Sequence, residues 1–590
     1  MRILLLHGIP EDEELRRAWN RLAQEVESPQ VFYTFEWAIA VQRAYAGTVC
    51  SLLFLGYDGD SLAGVAAFGQ RNEGIGETFF LTANTADYCD FLSAPGKRQE
   101  FVHGVLAELR NRKIPKLVLT NLASDSASVA AIRGSAHSFQ YHLHARRAYL
   151  CARVVLGSDE QRAELKRSLT EKKRLRRNLR ALGKLGQISV RHDSDWVQIE
   201  PALSKFNSTH VARFLSTGRL SNLIQAERRA FLHELAREIS RCGGMSMSQF
   251  VIDQNPVAWN YGFRFAGSWF WYQPTVDTCH RYAAFSPGYC LLAEIVESAC
   301  DDPEIDVVDL GLGAEDYKDQ FATSSRETLY CVLNRDFSAH LWAALRDRVA
   351  AVVRAVPAVE RSMRFVLSLA TKATKRMPNQ SLWASVKWLF RSAWNRALAF
   401  DQVHLFEWIP QPADRASSVN LVPLSSELMG AAAIHYADDP NTMKFLMRSA
   451  RRFRTETRRG FALLSAEGMP LHFCWVADFD GFEMDELDRR LESADKDAVM
   501  IFDCFTPPAA RGRGYFAQTI AVLADQLRAE GKLPWIFGAA ANESSLRGIR
   551  KSSFRYRYCL GRKRFLWVSW VKDSVPSAPL QNVVSSAPAQ

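Results

Sequence analysis

Around residue 510 the chain reads Pro508-Ala-Ala-Arg-Gly-Arg-Gly-Tyr-Phe-Ala-Gln518, two arginines and two glycines directly ahead of an apolar helix. The N–H groups at a helix start lack intrahelical partners and lie at the positive end of the peptide dipoles, which suits an anion such as a pyrophosphate. Gly512 and Gly514 carry no Cβ, so this backbone can approach a phosphate closely. Two further places offer reactive side chains. His210 has an imidazole whose ordinary pKa suits a general base, and it equally suits a hydrogen-bonded structural role. Asp309-Leu-Gly-Leu-Gly-Ala-Glu-Asp-Tyr-Lys318 sets Asp309, Glu315, Tyr317 and Lys318 at a strand end, where functional groups gather in α/β folds, although an ion-pair and packing anchor fits the same residues.

The elements that must position these residues recur three times. Cys50–Tyr57 and Leu62–Phe68 flank the turn Asp58-Gly-Asp60, followed by a strand at Thr78–Thr82, a helix carrying Val102, Val105, Leu106 and Leu109, and a strand at Lys116–Thr120. The order returns as the hairpin Ser248–Ile252 to Val257–Trp259, strand Trp269–Tyr272, helix Tyr289–Ala299 and strand Val307–Leu310. It returns again as Phe461–Ser465, Leu471–Ala477, Ala498–Phe502, the glycine loop, helix Tyr515–Arg528 and strand Trp535–Phe537. That helix sets Phe516, Ile520, Leu523 and Leu527 on one face.

Hairpin, strand, glycine-punctuated helix and strand is the core order of the GNAT superfamily of acetyltransferases, and Arg511-Gly-Arg-Gly514 resembles its Arg/Gln-x-x-Gly-x-Gly/Ala loop. The family's final small residue is here Phe516. Asn542-Glu-Ser-Ser545 is similar to the family's Asn-x-x-Ser segment, and Ser553 replaces the glycine of the Gly-Phe pair that follows. The resemblance implies acetyl-CoA as acyl donor, no metal, and cofactor binding by Arg511, Gly512, Arg513, Gly514, Tyr515, Asn542 and Ser545. It implies a backbone N–H of the strand Ala498–Phe505 as oxyanion donor. That strand offers Asp503 and Cys504 rather than a glutamate, so the base, acting directly or through water, is open, with Asp503 as a candidate. Tyr556 or Tyr558 is the candidate acid, and strand alternation predicts both on one face.

Residues 28–325 resemble the CelD/BcsL family of acetyltransferases, related in fold to Fem-type aminoacyltransferases, through Phe35-Glu-Trp37, Asp87-Tyr-Cys-Asp-Phe91, Phe206 with His210, Ser286-Pro-Gly288 and the Asp309–Lys318 motif. A role in cell-envelope or exopolysaccharide modification follows from that likeness, with an amine or hydroxyl acceptor of unknown identity, a glycan or envelope precursor among the options. The competing readings are an aminoacyl-tRNA-dependent transferase and a non-catalytic scaffold on a membrane surface.

The expected fold class is α/β (α+β): three GNAT-like units, each a mixed sheet flanked by helices, the first two paired. The expected division is 1–155, 156–335, a basic tryptophan-rich helical connector at 336–400, a C-terminal GNAT domain at 401–572, and a disordered tail at 573–590. At 590 residues the chain exceeds one hydrophobic core.

A net charge of +10 favours anionic partners. Residues 162–184 hold ten Lys/Arg against Glu164 and Glu171, with Leu165, Leu169, Leu175, Leu179 and Leu182 as an apolar stripe, and read as one cationic helix. It lacks aromatic residues for base stacking, which argues against nucleic acid. Residues 340–400 hold eleven Lys/Arg against Asp347 and Glu360, joined by Trp342, Trp383, Trp388 and Trp394, a composition that fits peripheral membrane contact. The eleven cysteines include no Cys-x-x-Cys pair, so a cytoplasmic protein without disulfides or a zinc knuckle is expected, with the inner membrane face as an alternative address. No Gly-x-Ser-x-Gly, Walker or His-Glu-x-x-His motif is present.

Overall fold

The computed structural model describes residues 1–72, 77–313, 315–343, 345–346, 398–409, 419–453, 458–565 and 568–574. They form two compact units, one made of Met1–Leu215 and Arg219–Phe365, the other dominated by Val366–Gln590. Most of the connector expected over 336–400 and of the tail expected over 573–590 lies outside the described residues.

The N-terminal unit is built on one thirteen-stranded sheet. In chain order its strands are β1 (Arg2–His7), β2 (Val49–Asp58), β3 (Ser61–Arg71), β4 (Glu77–Phe80), β5 (Leu92–Ser93), β6 (Lys116–Ala123), β7 (His142–Val155), β8 (Ile188–Asp193), β9 (Met245–Ile252), β10 (Asn255–Phe265), β11 (Ser268–Val276), β12 (Val307–Leu312) and β13 (Ser324–Asn334). Across the sheet they run β1-β2-β3-β4-β6-β13-β7-β12-β11-β10-β9-β8, with β5 beside β3. The long strands β7 and β13 knit the two repeats together: β13, from the end of the second, pairs with β6 of the first and with β7.

The C-terminal unit has an eight-stranded sheet of β14 (Leu398–Trp408), β15 (Leu421–Pro423), β16 (Arg458–Leu464), β17 (Pro470–Asp478), β20 (Ala498–Phe505), β21 (Leu533–Ala539), β22 (Phe554–Phe565) and β23 (Val568–Ser574), ordered β15-β16-β17-β20-β21-β14-β22-β23. The two short strands β18 (Glu483–Met484) and β19 (Arg489–Arg490) pair separately. Both units are thus mixed α/β, with large mixed sheets flanked by helices, as expected.

The recurrence read from the sequence appears as a recurrence of pairing. In each case the strand before the helix and the strand after it run parallel, because a helical crossover returns the chain in the same direction. The pairs are β4–β6, β11–β12 and β20–β21, and each ladder is short: Ser268–Phe270 meets Val307–Asp309, and Ala498–Ile501 meets Leu533–Ile536. Of the helix stripes predicted for two of the crossovers, Val102, Val105, Leu106, Leu109, Ile520, Leu523 and Leu527 are fully covered, while Phe516 at the start of the second is half-buried.

The basic segment 162–184 differs from its expectation. It forms two helices, Asp159–Glu171 and Lys173–Gly183, interrupted at Lys172, whose backbone is extended at ψ 107. Leu169 and Leu175 are six residues apart, out of phase on a continuous helix, and the break lets Leu169, Leu175 and Leu182 all join the core around Leu291, Leu292 and Ile295. Several of the cations have internal work. Arg162 donates to the carbonyls of Ala299 (3.2 Å), Asp302 (3.0 Å) and Ile305 (2.7 Å), covering the C-terminal end of the helix Pro287–Asp301. Lys166 pairs with Asp301 at 2.7 Å and Arg174 stacks over the Tyr289 ring. Among the described residues no helix is long and apolar enough to cross a membrane.

Arg162→Ala removes three buried or part-buried hydrogen bonds, to the carbonyls of Ala299, Asp302 and Ile305, so a loss of about 2 kcal/mol is expected from the N-terminal unit. Urea unfolding followed by tryptophan fluorescence measures it, and an unchanged midpoint would remove the capping role.

Candidate functional site

Each unit has a cleft, among the described residues, that carries polar chemistry. In the C-terminal unit β20 leaves β21 after Ile501, and the backbone beyond that point has no ladder partner on that side. A cleft of about 490 Å³ opens there, lined by His472, Cys504, Phe505 and Thr506 from the strands, Arg511, Gly512, Gly514, Tyr515 and Phe516 from the loop and helix start, and Asn542, Ser544 and Ser545. Gly512 and Gly514 are left-handed at φ +80° and +79°, and a Cβ at either would meet open space. The helix Tyr515–Ala529 starts at Gly514 with no side chain capping it, so its first N–H groups remain available. Arg511 braces the loop by donating from Nε to the Thr506 carbonyl at 3.1 Å. Asn542 caps the helix Glu543–Arg550, its Oδ1 accepting from the Ser545 N–H at 3.1 Å and the Ser544 hydroxyl at 2.8 Å.

Of the seven residues expected to hold the cofactor, six line this cleft and Arg513 does not. Phe516, the departure from the expected small residue, packs against Gly548, where a Cβ would lie 2.4 Å from its ring. The loop accommodates the large residue because the facing helix carries none there.

The expected catalytic residues of this unit lie elsewhere. Asp503 sits at φ +45° in a bulge of β20 and is ion-paired to Arg448 and Arg452, outside the cleft lining. A carboxylate clamped by two guanidinium groups ties the strand to the helix Pro440–Arg452 and is engaged away from the cleft. Tyr556 and Tyr558 do not share a face. The ladder slips at Arg557, so Tyr558 pairs with Leu405 and Tyr556 with Phe406, adjacent residues of β14 that point oppositely. Tyr556 is exposed beside His404 and Phe406, Tyr558 lies near Trp535, and neither lines the cleft.

His472 was not singled out from the sequence, where it is one polar residue in an apolar strand. It is buried in the cleft wall, with Nδ1 2.8 Å from the Thr506 hydroxyl and Nε2 without a partner. Burial pulls its pKa down to about 3, so the ring is neutral. Its spacing from the loop is long range, and no local pattern announces it.

The second cleft, about 560 Å³, lies in the N-terminal unit near the points where β4 parts from β6 and β11 from β12. Asp87, Thr120, Asn121, Arg228, Tyr272, Gln273 and Leu312 are among its walls. Gly311 turns the chain there at φ +70°, and a Cβ on it would lie 2.5 Å from the Asp87 carboxylate. Asp87, part-buried, is pushed up to about 7 by burial and by Asp309, against the opposing pull of Lys318 and Arg228.

The motif residues expected to bind substrate support this wall instead of lining it. Asp309 is buried, accepting from the Gly311 N–H at 2.9 Å and the Tyr88 hydroxyl at 3.0 Å, and burial raises its pKa. Lys318 donates to the Leu312 carbonyl at 2.9 Å and pairs with Glu315 at 3.3 Å. Tyr317 accepts from the Trp271 indole at 3.1 Å. His210, expected as a base or as a hydrogen-bonded structural residue, is buried and outside the cleft lining: burial lowers its pKa to about 3, Nδ1 lies 2.9 Å from the Ser221 hydroxyl, and Nε2 lies 3.2 Å from the Gln273 amide.

Several solved structures are similar to this chain. FemX is 8% identical with a TM-score of 0.41, covering 58% of this chain and 99% of its own. A conserved protein of unknown function from Bacteroides thetaiotaomicron is 11% identical with a TM-score of 0.38, covering 56% and 100%. A tandem GNAT protein from the clavulanic acid biosynthesis pathway is 13% identical with a TM-score of 0.33, covering 56% and 98%. No curated protein matches the sequence. Residues 170–319 match the model of the acetyltransferase (GNAT) domain, a stretch that contributes Arg228, Tyr272, Gln273 and Leu312 to the N-terminal cleft, and this match supports an acyltransferase.

Proposed function

We propose that the protein is an acyl-CoA-dependent acyltransferase, using acetyl-CoA as donor and an amine or hydroxyl as acceptor, with the donor's pyrophosphate on the Arg511–Gly514 loop. The observation that carries this reading is the loop: two left-handed glycines with open space beyond them, at an uncapped helix start, facing one cleft. Bound there, the donor supplies an acyl group activated as a thioester.

The chain's own residues bind and orient. First-turn N–H groups hold the anion, Arg511 keeps the loop open, and Asn542 with Ser545 fixes the facing helix end. His472, neutral and lacking a partner on Nε2, offers a hydrogen bond in the wall; with a pKa near 3 it orients a reactant rather than storing its proton. The strand backbone past Ile501 faces the same space and suits a developing oxyanion.

The likeness of residues 28–325 to the CelD/BcsL family favours a cell-envelope or exopolysaccharide acceptor and a cytoplasmic setting at or near the inner membrane face. The five-part division at 155, 335, 400 and 572 is proposed with it. Arg162, Lys166 and Arg174 are engaged within the fold, which weighs against the tRNA-dependent reading.

Gly514→Trp is expected to weaken acetyl-CoA binding by at least about tenfold by filling the space a phosphate needs. Calorimetric titration of the full chain measures it; binding that survives unchanged moves the donor site to the N-terminal unit.

His472 has a folded pKa near 3 against an ordinary 6.5, a depressed value. Its contribution to stability is therefore complete above 6.5 and declines as pH falls toward 3. The unfolding free energy of the wild type relative to His472→Gln should drop on acidification by up to about 1.4 kcal/mol per pH unit. Groups common to both proteins cancel in the difference. A constant difference between about pH 6.5 and 4 would show that the ring is not held neutral.

A further inference from the structure

The N-terminal cleft contains a buried charge without a counter-charge. Arg228, on the helix Ala226–Ser240, is 6% exposed and lines the cleft. Its Nη2 donates to the Tyr272 hydroxyl at 2.7 Å and to Gln273 Oε1 at 3.3 Å, the neutral Tyr45 phenol and the Phe231 ring lie beside the guanidinium, and Nε and Nη1 have no hydrogen-bond partner. Among the described residues no carboxylate is within ion-pair distance of it. A guanidinium taken out of water normally faces a carboxylate or phosphate, since neutral partners do not offset the lost hydration.

The surroundings hold Arg228 in place rather than neutralise it. Tyr272 donates its own proton to the Thr85 carbonyl, and burial lifts its pKa to about 12, so it stays a neutral phenol. Gln273 is fixed from behind by His210, and His210 by Ser221. This explains the neutral histidine: a charged imidazole there would repel Arg228 and could not accept from the Gln273 amide.

We propose that this cleft binds a small molecule bearing a carboxylate or phosphate group, whose oxyanion completes the contacts of Arg228. The proposal is independent of the donor reading of the Arg511–Gly514 loop and concerns a second, separate site. Asp87 shares the wall and tunes the site. Around it stand Asp309, Lys318, Arg228, the Tyr88 and Tyr272 phenols and the Cys89 and Cys151 thiols. Protonated, Asp87 leaves Arg228 as the dominant charge; ionised, it repels an incoming anion. Because its raised value is near 7, anion affinity should fall as pH rises through neutrality. At the mouth Arg146 stacks over Tyr330 at 4.5 Å, a second cation on the approach.

The test is calorimetric titration of the full chain with inorganic phosphate and, separately, with succinate, at fixed ionic strength and about pH 6. Only the binding lost in Arg228→Gln is assigned to this cleft: phosphate alone then indicates a phosphorylated ligand, and succinate alone or both indicate carboxylates or either oxyanion. Arg228→Gln should weaken that binding at least about tenfold, and Gly514→Trp, in the other unit, should leave it unchanged. Arg228→Lys keeps the charge and should retain part of the affinity, which separates lost recognition from a fold defect. Read with an anion whose charge is nearly constant over the range, succinate or, where phosphate alone binds, sulfate, raising the pH to about 8 should weaken wild-type binding several-fold, and Asp87→Asn should abolish that dependence. Failure of both anions to bind the wild type, wild-type affinity in Arg228→Gln, or loss of binding in Gly514→Trp would each overturn the proposal. Donor binding at the C-terminal loop is read separately with acetyl-CoA, so either site can fail without the other.

Discussion

The constraint on which the rest depends is the parting of parallel strands. A ladder of three or four residues brings two strands together, and the chain then lets them separate, at β11 and β12 after Phe270 and at β20 and β21 after Ile501. Backbone groups freed in this way must find other partners or face a ligand. In the N-terminal unit side chains take much of that duty. Asn121, itself at φ +58°, donates to the Ala86 carbonyl at 2.8 Å while its own carbonyl accepts from Cys89, and Asp309 takes the Gly311 N–H. In the C-terminal unit the glycine loop leaves the helix-start groups open.

This division explains the roles of the conspicuous motif residues. Asp309, Tyr317 and Lys318 are buried or half-buried and hold the turn after β12, whose geometry only a glycine at 311 permits with Asp87 so close. The carboxylate that reaches the cleft is therefore Asp87, and the motif supplies its environment: Asp309 raises its proton affinity and Lys318 lowers it. Buried carboxylates that push one another apart in proton affinity are a recognised way of setting a group near neutrality.

Local order was legible in the sequence. The hairpin turn at Asp58-Gly-Asp60, the stripe Val102–Leu109 and the loop Arg511–Gly514 are short-range patterns, and each lies where spacing predicts. What escaped is long-range. The strands β1, β7, β13 and β14 include basic or acidic residues among their apolar ones and do not stand out, yet β13 joins the two repeats. Arg228 and Asp87 are far apart in sequence and meet only through the sheet. The slip at Arg557 reverses a face assignment that simple alternation predicts, and the break at Lys172 was visible only as an awkward leucine spacing.

The two clefts present positive potential in opposite ways, and the difference bears on specificity. The C-terminal cleft offers backbone dipoles and a neutral imidazole, a surface that favours phosphate without committing a buried charge. The N-terminal cleft commits one, with a guanidinium held by neutral partners through Tyr272, Gln273 and His210. A site of the first kind tolerates variation in what lies beyond the phosphate. A site of the second kind rejects neutral molecules strongly, because each leaves Arg228 buried and unpaired.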